Sequence, residues 1–171
     1  EQVTAVRPAH LQIDLTAIRH NLAEVRRMVG PDVAIIAVVK ADAYGHGAVP
    51  VARVALEAGA RMLAVALLEE GLQLRAAGLM APILVMGAML PEQAEDLVAA
   101  NLTPAVMNRE LALALSRAAV AAGRTACCHL KVDTGMSRLG ARDDELATLL
   151  PDLAALPALR WDGIFSHLAD P

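Results

Sequence analysis

Short apolar runs alternate along the chain with longer segments of helical period. Leu15, Ile18, Leu22, Val25 and Val29 fall on one stripe of a helix that Gly30-Pro31 ends. Val33 to Val39 is a nearly unbroken apolar run, as expected of a strand buried on both faces. A helix over about Val49–Ala58 follows, with Pro50 in its first turn and Gly59 beyond its end. The alternation then repeats. A strand at 61–66 leads to a helix at 68–77 that carries Glu69 and Glu70 in its first turn. A strand at 82–86 leads to a helix opening at Pro91, and a strand at 102–106 to a helix that Asn108 caps and Gly123 ends. A strand at 125–133, a helix near 144–150 and a strand at 161–168 complete the series.

Strands separated by helices predict an α/β fold with a parallel sheet. A (β/α) barrel of TIM type has eight strands and typically ~250 residues. The 171 residues here hold about six such strands, which reads as an incomplete barrel. A complete doubly wound sheet of five or six strands is the alternative. No linker, low-complexity tract or sequence repeat divides the chain, so a single domain is expected.

Composition adds the kind of core. Hydrophobic residues make up 56% of the chain and aromatic ones only 2%, so Ala, Val, Leu, Ile and Met must fill the interior. The net charge of −4 is dispersed and includes no basic patch, which argues against nucleic acid as a partner. No apolar run approaches the ~20 residues needed to span a bilayer. The opening Glu1-Gln-Val-Thr-Ala-Val-Arg-Pro8 is not a secretory signal pattern, and a cytoplasmic location is expected. Cys127 and Cys128 are adjacent, a geometry that strains a disulfide, so free thiols are expected.

Three places could carry chemistry. In Val39-Lys40-Ala-Asp-Ala-Tyr44-Gly-His-Gly47 an apolar strand ends on a lysine and enters a glycine-containing loop. Ile36, Val38 and Lys40 share one strand face, so Lys40 can tip a barrel interior at the end where active sites form. An amine placed there can make an imine with a carbonyl; a lysine simply leaving the core for solvent is the plainer reading. In the second segment, His129 to Gly140, alternation places Cys127, His129, Lys131 and Asp133 on one face. Cys128, Leu130 and Val132 fall on the other, suited to a helix-covered outside. Lys131, Asp133 and Arg138 form either a structural ion network or a site for an anionic ligand. The third is His167, on the same face as Phe165, which is either a satisfied core histidine or a functional one. No spacing suggests a metal site, and no serine sits in a nucleophile elbow.

The stretch Ala37-Val-Val-Lys-Ala-Asp-Ala-Tyr-Gly-His-Gly47 resembles the pyridoxal-phosphate signature of alanine racemases. Val3 to Asn21 is similar to the N-terminal strand and helix of that family. Leu67–Gly71, Pro82–Gly87, Lys131–Gly140 and Gly163–His167 recur in the family's order, so the resemblance covers essentially the whole chain. It implies that residues 1–171 are part of an N-terminal barrel domain that binds pyridoxal 5'-phosphate, with Lys40 holding the cofactor covalently and acting as one of two acid/base residues. Tyr44 would bond the cofactor phosphate, and Arg138 the phenolic oxygen and the substrate carboxylate. Lys131 matches a lysine often carbamylated in the family. His167 would lie beside the ring, and Val38 and Leu84 would wall the pocket. Ser137 stands where glycine is common. The resemblance further implies a homodimer, alanine as substrate, and a role in supplying D-alanine for peptidoglycan. A C-terminal β-rich domain with the opposite-face tyrosine has no counterpart in these residues, so the chain alone is expected to be a poor racemase. A non-catalytic pyridoxal-phosphate-binding barrel and a racemase of broader specificity are the competing readings.

Overall fold

The computed structural model describes residues 10–170, and within them six strands form one sheet. The order along the chain is α1 (Leu15–Val29), β1 (Ile36–Val38), a helical turn α2 (Lys40–Gly45) and α3 (Ala48–Glu57). Then come β2 (Met62–Val65), α4 (Leu68–Ala76), β3 (Ile83–Val85), a short 3-10 turn (Pro91–Gln93) and α5 (Ala94–Ala99). The chain continues through β4 (Thr103–Val106), α6 (Arg109–Ala121), β5 (Ala126–Lys131), α7 (Asp143–Ala154) and β6 (Leu159–Phe165).

Every strand is parallel to, and hydrogen-bonded with, the next one in sequence, giving the order β1-β2-β3-β4-β5-β6. A doubly wound sheet reverses direction at a switch point. This sheet never reverses, so it is a singly wound arc of the barrel type, and the doubly wound alternative is set aside. The helix-side face of the sheet carries Leu63, Val65, Ile83, Val85, Val106, Cys128 and Leu130, all buried in one core with Leu74, Leu97, Leu111 and Leu115 from the helices. The inner face carries Val38, Ala64 and Leu84 in one register row and Ala105, His129 and Gly163 in another.

Local chemistry explains most element ends. The Asp14 side chain accepts from the Thr16 and Ala17 N–H groups at the start of α1, and Asn108 accepts from Leu111 N–H at the start of α6. Helix α7 differs from expectation: it runs beyond Leu150 through Pro151 to Ala154, because Leu153 buries itself in the core and outweighs the bond that proline removes. Strand β6 starts at Leu159 and ends at Phe165, so His167 lies beyond the strand. Of the N-terminal strand implied around Val3–Asp14, residues 1–9 lie outside the described part, and His10–Asp14 is irregular. Both cysteines are free, as expected, and burial pushes the Cys128 thiol up to about 12.

Candidate active site

At the C-terminal ends of the strands a cleft of about 510 Å³ opens between Val38, Lys40, Tyr44, Ala66, Met86, Gly87, Lys131, Arg138, Leu139, Phe165, Ser166 and His167. Six of the seven residues that the family resemblance assigns to the site therefore meet in one place. Leu84 does not: it is buried one layer below, and Met86, two residues on along the same face of β3, takes the wall position.

Lys40 follows β1 directly. Val39 is buried on the helix side and donates to Ala64 O at 2.8 Å, which extends the ladder and turns the next residue inward. The chain then makes an unexpected turn. Ala41, Asp42, Ala43 and Tyr44 all sit at φ of 52–54° and ψ of 41–48°, one turn of left-handed helix without a glycine among them. Left-handed helix costs about 1–2 kcal/mol per residue for L-amino acids, so the surroundings must hold it. Ala43 N–H donates to Val39 O (3.0 Å) and Gly47 N–H to Asp42 O (3.0 Å), while the Asp42 carboxylate accepts from Ala48 N–H (2.7 Å). His46 Nδ1 meets Ala43 O at 2.8 Å. From outside the loop, the Glu70 carboxylate accepts the Ala41 N–H. Lys40 Nζ lies 5.8 Å from the Tyr44 ring centre, so the turn brings the lysine and the tyrosine together.

Strand β5 contributes Lys131, which is buried and has one hydrogen bond, to Met86 O at 3.1 Å. Its Nζ also sits 5.5 Å from the ring centre of Phe165, the chain's single phenylalanine. Burial lowers the Lys131 pKa from its ordinary value, and the charges of Arg138 and Lys40 push the same way. Asp133 does not answer this charge. Its Oδ1 accepts from Gly135 N–H (3.0 Å) and Ser137 N–H (2.9 Å), closing the turn that presents Arg138. Among the described residues no carboxylate forms an ion pair with Lys40, Lys131 or Arg138. Of the two readings of this segment, the ion network is absent among those residues, and three cations face one cleft.

The sequence did not single out Met86, Phe165, Ser166 or Glu70 as site residues. Met86, Phe165 and Ser166 lie where strands end, which is the signal that could have found them. Gly87 has a steric reason: a Cβ there would stand 2.3 Å from Ala66 O, so the two strand ends approach closely only with glycine. No helix of the described residues is long and apolar enough to cross a membrane.

Known proteins sharpen the picture. Residues 13–171 match the family model of the alanine racemase N-terminal domain. The alanine racemase of Desulforamulus reducens is 50% identical over 163 residues, covering 95% of this chain and 44% of that protein. A solved structure of the Clostridium difficile 630 alanine racemase in complex with cycloserine superposes with a TM-score of 0.92 at 35% identity, covering 98% of this chain and 46% of that one. The histidine racemase of Leuconostoc mesenteroides subsp. sake superposes at 0.88 with 30% identity, over 98% of this chain and 45% of that one. The chain thus spans less than half the length of the relatives it matches. Sequence, fold and the cleft at the strand ends agree, and the chain belongs to the alanine racemase N-terminal domain family.

Proposed function

We propose that this chain is the cofactor-binding barrel part of a pyridoxal-phosphate-dependent racemase acting on alanine, with Lys40 as its cofactor lysine. The observation that carries the reading is the convergence of Lys40, Lys131 and Arg138 on one cleft with no carboxylate paired to them among the described residues. Such a site suits a ligand bearing phosphate and carboxylate. Its volume falls within the ~300–1,000 Å³ range of small-ligand pockets, and Val38, Ala66, Met86, Leu139 and Phe165 offer apolar walls to a flat ring.

In this reading Lys40 would hold the cofactor covalently, Tyr44 would donate to its phosphate, and His167 and Val38 would line the place for its ring. When bound, the cofactor supplies a conjugated system that accepts the charge left as the α-proton departs. Lys40 moves that proton at the substrate α-carbon on one face. Arg138 pairs with the substrate carboxylate. Lys131, with its lowered pKa, is an amine open to carbamylation, in which the neutral amine would attack carbon dioxide and release a proton to water; the resulting anion would orient Arg138 and remove the repulsion between the two cations. Racemisation also needs a base on the opposite face. The chain has one tyrosine, Tyr44, and this reading commits it to the phosphate. The second base then comes from the portion of longer relatives that this chain does not span, across a homodimer interface, so the 171 residues alone racemise poorly. A cytoplasmic enzyme supplying D-alanine for peptidoglycan is the corresponding role. The likeness to a histidine racemase keeps a different amino-acid substrate as a second reading.

The test is the visible absorbance of the chain with pyridoxal phosphate, before and after borohydride reduction, beside Lys40→Ala. The reading expects a covalent adduct that reduction fixes on Lys40 and that the variant lacks. An adduct of equal yield in Lys40→Ala would overturn it.

A further inference from the structure

Glu70 joins the start of its own helix to a stretch of backbone 29 residues before it in sequence. Its Oε2 accepts from the N–H groups of Ala66 (2.7 Å) and Leu67 (2.9 Å), which closes the first turn of α4. Its Oε1 accepts from Ala41 N–H at 2.5 Å. Ala41 directly follows Lys40 and is the first of the four left-handed residues, and Ala66 is itself part of the cleft wall. Capping α4 requires only the bond to Leu67. The second oxygen, spanning to the loop after β1, is unnecessary for that purpose.

We propose that Glu70 is a positioning residue for Lys40. Its carboxylate holds the peptide on the C-terminal side of Lys40 in the left-handed turn, while the Val39 N–H bond to Ala64 O holds the N-terminal side. The lysine's Cα is thus fixed from two neighbouring strand ends, and its flexible side chain has one direction, into the cleft. The inference rests on the reading of Lys40 as the cofactor lysine. A carboxylate is the group this task requires. It has two acceptor oxygens, whereas the amide of glutamine would set an N–H₂ donor against one of the backbone N–H groups.

Two variants separate positioning from capping. Glu70→Gln keeps one acceptor oxygen, and Glu70→Asp keeps the charge in the first turn of α4 but is one methylene short of spanning both segments. Two quantities are read in each variant once far-UV circular dichroism shows it folded: amide hydrogen exchange across residues 41–44, without cofactor, and the rate at which borohydride-fixable pyridoxal phosphate accumulates on Lys40. Loss of a charge-assisted bond predicts exchange faster by about tenfold at Ala41 in both variants, with α1 and α6 still protected, and adduct formation slower by about tenfold. If only the first turn of α4 loosens, while exchange at 41–44 and the adduct rate match the wild type, Glu70 is a cap and the proposal is wrong. A wild-type chain that forms no adduct refutes the reading of Lys40 instead, and the exchange measurement then decides alone whether Glu70 holds the turn.

Discussion

Lys131 carries a positive charge into a buried position where one carbonyl and one aromatic ring are its nearest answers. Because burial and two neighbouring cations lower its pKa, the unfolded chain binds more protons than the folded one between the lowered value and the ordinary lysine value. Stability must therefore rise with pH through that window, and the penalty is fully present below it. Lys131→Met removes the charge and keeps the volume. Urea unfolding in carbonate-free buffer is expected to show the variant more stable by about 1–2 kcal/mol at neutral pH and to lack part of the wild-type rise toward pH 10. Equal stability at both pH values would mean the amine is better solvated than its burial indicates. Lys131 was legible as an inward-facing residue from strand alternation alone, as was Lys40 from its place at a strand end. Glu70 was not, because its part in the site depends on a backbone contact across two βα units and leaves no local trace. Asp133 looked like an inward charge by the same alternation, but its carboxylate is taken by the N–H groups of the turn that follows.

The helices are tied together at the end of the sheet away from the cleft, where arginines reach the exposed carbonyls of helix ends. Arg53 of α3 donates to Ala77 O at the end of α4 (2.6 Å). Arg75 of α4 donates to Ala100 O (2.9 Å) and Asn101 O (2.8 Å) after α5, and to Leu79 O (2.6 Å) and Ala81 O (2.8 Å) ahead of β3. Arg124, just after α6, returns to Val98 O and Ala99 O. These carbonyls lie in the last turn of a helix or in the loop just after it, where helical N–H donors run out, and a cation there also complements the helix dipole. Arg75→Ala is expected to cost about 2–4 kcal/mol by urea denaturation, given bonds from a charged donor, and to leave the Lys40 adduct intact. A cost below about 0.5 kcal/mol would show that water serves these carbonyls equally well. The helices themselves were legible where apolar period and cap agreed, as in α1 with Asp14 and α6 with Asn108. The left-handed turn was hidden, since Ala41, Ala43 and Tyr44 carry no preference for positive φ; bonds within residues 39–48 and one to Glu70 hold it. The extra turn of α7 past Pro151 was hidden for a related reason, because tertiary burial of Leu153 overrides the local rule.

At the scale of the molecule, six strands could be counted from sequence, but their winding direction could not, since no local pattern distinguishes a singly from a doubly wound sheet. In the described residues β1 and β6 are the sheet's edges, and apolar side chains stand open there: Ile36 is 41%, Val38 48% and Ile164 67% exposed. Ile164 borders a cavity of about 390 Å³ with Leu130, Leu150, Leu153 and Trp161. Open edges beside apolar surface favour association. Sedimentation velocity of the 171-residue chain is therefore expected to show concentration-dependent self-association, weakened by Ile164→Lys; a single monomeric boundary at every concentration would count against this. The unbroken neighbour-by-neighbour strand order also bears on biosynthesis. As each βα unit leaves the ribosome, the strand it must join has already been made and is the most recent one added. Docking then never waits for distant chain, sequence separation within each contact stays short, and the barrel wall can grow at the pace of translation.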